Sequence, residues 1–93
     1  MKKKIYIFVA FSTYDWSFET SVHDTIEEAR EAQWQWFERC CKYLGIEKPT
    51  KDEMCDGENG NFYYNEDSEY MSISPLNACE DRYSTIEIKE INV

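Results

Sequence analysis

Between Lys4 and Phe11 the side chains Ile5, Ile7, Val9 and Phe11 share one side of an extended chain, and Tyr6, Phe8 and Ala10 share the other. A period of two with both faces apolar predicts a central strand. Turn-type residues follow from Ser12 to Asp15. Trp16, Phe18, Thr20 and Val22 then alternate with Asp15, Ser17, Glu19 and Ser21, the pattern of a second, half-exposed strand. At Thr25 the period changes. Thr25-Ile26-Glu27-Glu28 has the form of a capping box, in which a threonine hydroxyl and a glutamate three residues on satisfy the free amides of a helix start. On a helical projection Ile26, Ala29, Gln33, Trp36, Phe37, Cys40 and Leu44 form one stripe, opposite Glu27, Glu28, Glu31, Gln35, Glu38, Arg39 and Lys42. Gly45 stands where a C-terminal glycine belongs. Gln33 is polar within the stripe, and a hydrogen bond to a sheet-edge backbone group accounts for it.

Pro49, Asp56-Gly57 and Asn59-Gly60 mark residues 46–60 as a connection, with one helical turn started by Thr50 and Glu53. Asn61 to Tyr64 and Tyr70 to Ser74 read as short strands joined around Asn65-Glu66-Asp67-Ser68. Tyr83 to Lys89 alternates again, with Ile86 and Ile88 inward. Ile91 and Val93 fall out of phase with that pair, so either a bulge near Glu90 resets the alternation or the strand ends there. The order is two strands, a helix, then three strands. It predicts an α+β fold, a single long helix packed on a mainly antiparallel sheet of about four to five strands, with a parallel pairing of the first strand and a later one left open.

Composition narrows this further. A chain of 93 residues supports one compact domain, 1–93, with a single core. Leucine is nearly missing (Leu44 and Leu76) while isoleucine and tyrosine are frequent, which favours sheet. The longest apolar run, Ile5 to Phe11, is far shorter than the roughly 20 residues of a spanning helix, so no membrane span is expected. Met1-Lys2-Lys3-Lys4 before that run has the look of a secretory signal, but no A-x-A site follows and the strand pattern explains the same residues.

The net charge of −9 argues against a protein that grips nucleic acid by neutralising phosphates. Its distribution matters more than its size. Residues 52–81 hold nine acids, Asp52, Glu53, Asp56, Glu58, Glu66, Asp67, Glu69, Glu80 and Asp81, and no Lys or Arg; elsewhere ten acids balance ten bases. A patch of this kind attracts a basic surface, and these nine are the candidate partner-binding residues. Alternate acids on a strand lie roughly 6 to 7 Å apart, close to the spacing of phosphates along a nucleic-acid strand. Phe62, Tyr63, Tyr64 and Tyr70 are interleaved with them, either as an interface centre within a charged rim or as sheet core. Ordinary solubility is the competing explanation of the acids.

Cys40, Cys41, Cys55 and Cys79 allow three readings: disulfides, buried thiols, or one structural zinc ion. Cys40 suits burial in the helix stripe, whereas Cys55 and Cys79 fall in loops. Zinc would take Cys41, Cys55 and Cys79 with Cys40, or with Asp52 or Asp56, as fourth ligand. Adjacent helical cysteines diverge by about 100°, which strains joint ligation unless the last turn unwinds. His23 precedes the helix and lies roughly 25 Å from the pair along the helix rise, too far to join them.

A single histidine, no nucleophile set beside it and no glycine-rich phosphate loop leave no catalytic constellation, so a non-enzymatic role is expected. A compact acidic domain with its charge massed in the aromatic segment Asp52 to Asp81 resembles the anti-CRISPR proteins of phages and other mobile elements. The resemblance lies in composition, without a motif matched residue by residue. It implies an inhibitor of the RNA-guided nuclease of type II systems, acting in the bacterial cytoplasm, in some cases as a DNA mimic. It implies acids of this segment seated in a Lys/Arg-lined groove that otherwise holds target DNA. A zinc-containing member of that class would agree with the cysteines. The alternative is an adaptor or regulatory protein of a mobile element that pairs a strand edge with its partner. A monomer is expected over a homodimer seam at Trp16 or Trp34.

Overall fold

The computed structural model describes residues 1–13, 16–50, 53–54, 57–59 (backbone only), 62–65, 67–74 and 81–93. The elements are β1 (Lys2–Ser12), β2 (Phe18–His23), α1 (Ile26–Leu44), β3 (Gly57–Asn59), β4 (Phe62–Asn65), β5 (Tyr70–Ile73) and β6 (Arg82–Asn92). They form one antiparallel sheet in the order β2-β1-β6-β5-β4-β3, with α1 across one face. The α+β expectation holds. The sheet has six strands because Gly57–Asn59, read from sequence as connection, pairs with β4. Three residues between turn signals are too short to show an alternation.

The helix forms as its sequence dictates. Thr25 is the N-cap and its side chain accepts from the Glu28 N–H; Gly45 closes the other end at φ 69°, a left-handed conformation that glycine adopts without Cβ strain. Its buried residues are Ala29, Gln33, Trp36, Phe37, Cys40 and Cys41. Of these, Trp36, Phe37, Cys40 and Cys41 pack with Phe8 and Ala10 of β1, Phe62 of β4, and Met71 and Ile73 of β5. Trp36 meets Phe8 edge-on, and Phe37 lies between Trp34 and Phe62. Gln33 donates from Nε2 to the Glu69 carbonyl (2.8 Å) and to Ser84 Oγ (3.0 Å), so the mid-stripe amide is anchored in the core. No described helix is long and apolar enough to cross a membrane.

β1 is central, flanked by β2 and β6, and the β1–β6 register runs without interruption from Ser12↔Arg82 to Lys2↔Asn92. There is no bulge at Glu90. Ile91 pairs with Lys3 and belongs to the opposite face from Ile86 and Ile88, which explains its phase. Ile86 is buried, but Ile88 is 56% exposed. It pairs with Tyr6, which is itself only partly buried, so only the first of the two isoleucines expected inward is in the core. β2 departs from a simple inward reading too. Its apolar residues Phe18 and Val22 are 67% and 62% exposed. They pair with Phe11 and Ile7, which belong to the face away from the helix.

Candidate protein-binding face

Among the described residues the sheet has helix on one side only. Strand alternation and the pairing register together assign the other side. It carries Ile5, Ile7, Val9 and Phe11 of β1, Phe18, Thr20 and Val22 of β2, Tyr83, Thr85 and Glu87 of β6, Tyr70 and Ser72 of β5, and Tyr63 of β4. Rings run diagonally across it: Phe11 to Tyr83 at 5.0 Å between centroids, Tyr83 to Tyr70 at 6.1 Å, and Tyr70 to Tyr63 at 5.9 Å. Each contact is within the range of favourable aromatic pairs. The rings shelter one another, and Ser72 is buried among them. Their outer surfaces face solvent, with Phe11 and Tyr63 the more exposed members.

The four aromatic residues that the acidic segment interleaves are thus divided by the pleat. Phe62 and Tyr64 go to the helix side, where Phe62 touches Phe37 and the Tyr64 hydroxyl donates to Glu69 (3.4 Å). Tyr63 and Tyr70 go to the open side. Phe11 and Tyr83, the other half of the ladder, lie outside the acidic segment. Their pairing across β1 and β6 is a register that only the fold supplies.

The nine candidate acids are likewise divided. Asp52, Asp56, Glu66 and Glu80 lie outside the described residues, and Glu58 is placed by its backbone alone, opposite Tyr63. Asp67 is exposed in the β4–β5 turn, where the Asn65 side chain accepts from the Ser68 N–H. Glu53 is exposed and completes a capping box with Thr50. The Thr50 N–H donates to its carboxylate, which holds the Glu53 carboxyl below its ordinary range, and the Glu53 N–H donates to the threonine hydroxyl. Asp81 sits beside the ladder and accepts from the Tyr83 hydroxyl (3.2 Å), while its backbone is tied to Thr13.

Glu69 is different. It is buried, and its carboxylate accepts from Arg30 Nε (3.1 Å) and Nη2 (2.5 Å). It also adopts φ 55°, a conformation that costs a non-glycine residue about 1 kcal/mol. Arg30, Tyr64 and the Gln33 bond to its carbonyl hold it there. This acid is an internal ion-pair partner, not a member of an open patch. The hydrogen bond to Glu69 in turn pushes the Arg30 guanidinium above its ordinary value.

Cys40 and Cys41 are free, buried thiols of the core. Burial raises both above the ordinary thiol value, Cys41 to about 11. Their charged neighbours differ: Arg82, Arg39 and Glu19 lie near Cys40, Lys48 and Glu38 near Cys41. The divergence expected of adjacent helical side chains is therefore present, and the last turn stays wound as far as Leu44. Among the described residues no group of three or more His, Cys, Asp or Glu is placed to share a metal ion. Cys55 and Cys79 lie outside the described residues.

No protein-family model matches this chain, and no similar protein was found among curated proteins or solved structures.

Proposed function

We propose that this chain is a small acidic inhibitor that binds a CRISPR effector nuclease and blocks the loading or cleavage of target DNA. The observation that supports it best is the ladder Phe11, Tyr83, Tyr70 and Tyr63, open to solvent on the face without a helix, with Tyr70 and Tyr63 contributed by the acidic third. Aromatic residues at a centre with charge at the rim are the composition of a protein interface. The aromatic side chains contact the floor of a basic groove, and Asp67, Asp81 and their neighbours in 52–81 meet the Lys and Arg that otherwise hold DNA phosphates.

The test is target-DNA cleavage by a panel of guide-loaded type II nucleases, with the protein added before or after DNA. Inhibition only when it is added first is the expected result. The double variant Tyr63→Ser, Tyr70→Ser should weaken inhibition at any ionic strength, whereas Asp67→Lys should weaken it mainly at low salt, where surface charge is least screened. Absence of inhibition across the panel refutes the nuclease as partner. Binding to a basic partner that is indifferent to both variants refutes this face.

A further inference from the structure

We propose that a second copy of this chain adds antiparallel to the free edge of β2, about a two-fold axis at Thr20, joining two sheets into one. The argument does not depend on the nuclease reading, because it rests on the main-chain edge of β2 and not on the aromatic ladder, of which only Phe11 neighbours that strand.

Among the described residues β2 is the terminal strand, paired on one side only, so its outer edge presents main-chain N–H and C=O groups without strand partners there. Soluble proteins usually guard such an edge with lysine, proline or a bulge. Phe-Glu-Thr-Ser-Val-His has neither Lys nor Pro, and its β1 register is unbroken. Its one acid, Glu19, is already bound by Arg39 at 2.6 Å. Phe18 and Val22 are the most exposed large apolar side chains of any described strand.

The sequence of β2 is self-complementary in one register. A two-fold axis must pass through a residue if both copies are to keep their helices on the same side. With the axis at Thr20, Phe18 lies opposite the partner's Val22, Thr20 opposite the partner's Thr20, and Glu19 opposite the partner's Ser21. An aromatic residue against a β-branched one and threonine against threonine are favourable cross-strand pairs. Moving the axis to Glu19 would set two carboxylates face to face, and moving it to Ser21 would set Phe18 against the partner's Asp24.

Charge selects this edge over the other end. Two copies at −9 repel unless they meet where the field is weak. The acidic third forms β3, β4 and β5, whereas at the β2 end Glu19 pairs with Arg39 and Asp24 with Lys3. β5 is three strand positions from β2, so the nearest acidic strands of two joined sheets would be seven spacings, about 34 Å, apart. That is several Debye lengths at physiological salt, where the length is about 8 Å. The segregation of charge along the sheet removes the like-charge objection to a dimer at this edge.

Sedimentation equilibrium of the full chain from micromolar to millimolar concentration tests the proposal, with Thr20→Lys and Thr20→Glu as variants. Thr20 is exposed, so both variants should keep the far-ultraviolet circular dichroism of the parent. The parent should dimerise. Each variant alone sets like charges opposite each other and should raise the dimer Kd about tenfold or more. An equimolar mixture of the two should recover the dimer. A parent that is monomeric throughout overturns the proposal. A dimer indifferent to Thr20→Lys, or a mixture that stays monomeric, overturns the seam and register.

Discussion

The two faces of this sheet are built from the same kinds of residue and have opposite fates. Beneath α1, Phe8, Ala10, Phe62, Met71 and Ile73 are removed from water by Trp36, Phe37, Cys40 and Cys41. On the other face, Phe11, Tyr63, Tyr70 and Tyr83 cover one another only in part, and Phe18 and Val22 stand largely free. Burial of an apolar side chain stabilises by about 1.5 to 3 kcal/mol relative to exposure. The first face therefore holds the fold together, and the second leaves comparable free energy available for a partner.

The sharpest way to break this contrast is a pair of truncations. Phe37→Ala removes a fully buried ring that touches Trp34 and Phe62, and should cost about 3 to 5 kcal/mol of unfolding free energy. For a domain of this size that is a large share of the total stability, which is typically about 5 to 15 kcal/mol. Phe18→Ala, on the open face, should cost about 0.5 kcal/mol or less at concentrations low enough for the chain to be monomeric. Urea denaturation of both variants measures the difference. Equal losses would mean that the open face is covered in solution.

Much of this arrangement is legible in the chain. The capping box at Thr25, the stripe ending at Gly45 and the alternation of Ile5 to Phe11 are local patterns with one physical reading each, and they fix the helix and the central strand. Which face of β1 the helix covers is not local. Both faces are apolar, and the choice is made by the register that sets Phe8 opposite Ile86 and Phe11 opposite Tyr83. The same register assembles the aromatic ladder from four strands, so a segment-by-segment reading finds Tyr63 and Tyr70 but not Phe11 and Tyr83. Glu69 fails for a related reason. In sequence it is one more acid in an acidic run, and only the fold brings Arg30 beside it from the helix.

A second, smaller effect sharpens the division among those acids. Glu69→Ala leaves Arg30 and the Tyr64 hydroxyl without this acceptor and removes part of what holds a strained turn, so it should cost about 2 kcal/mol. Asp67→Ala, two residues away and exposed, should stay within about 0.5 kcal/mol. A loss of partner binding in a Glu69 variant should therefore track its loss of stability, whereas a loss in an Asp67 variant should appear at unchanged stability. Comparing denaturation midpoints with binding constants separates the two. Identical midpoints would contradict a structural role for Glu69.

The smallest effect concerns the covered face alone and depends on pH. Burial keeps Cys41 protonated in the folded protein up to about 11, against an ordinary thiol value of 9.0. Cys40 is raised for the same reason, opposed by the hydrogen bond and charge of Arg82. In the unfolded chain both thiols ionise first. The folded state binds more protons across this interval, so stability falls as pH rises from near 9 towards 11 and is unaffected below it. In a Cys55→Ser, Cys79→Ser variant, which retains only the helical pair, the urea midpoint should drop between pH 8.5 and pH 10.5 by more than in a variant with Cys41→Ala added. A disulfide reagent at pH 7 should modify the pair only as fast as the fold opens, since the thiolate is the nucleophile and it is scarce when buried. Rapid labelling of native protein would place the thiols at the surface, and the distinction between a closed face and an open one would then fail at the helix.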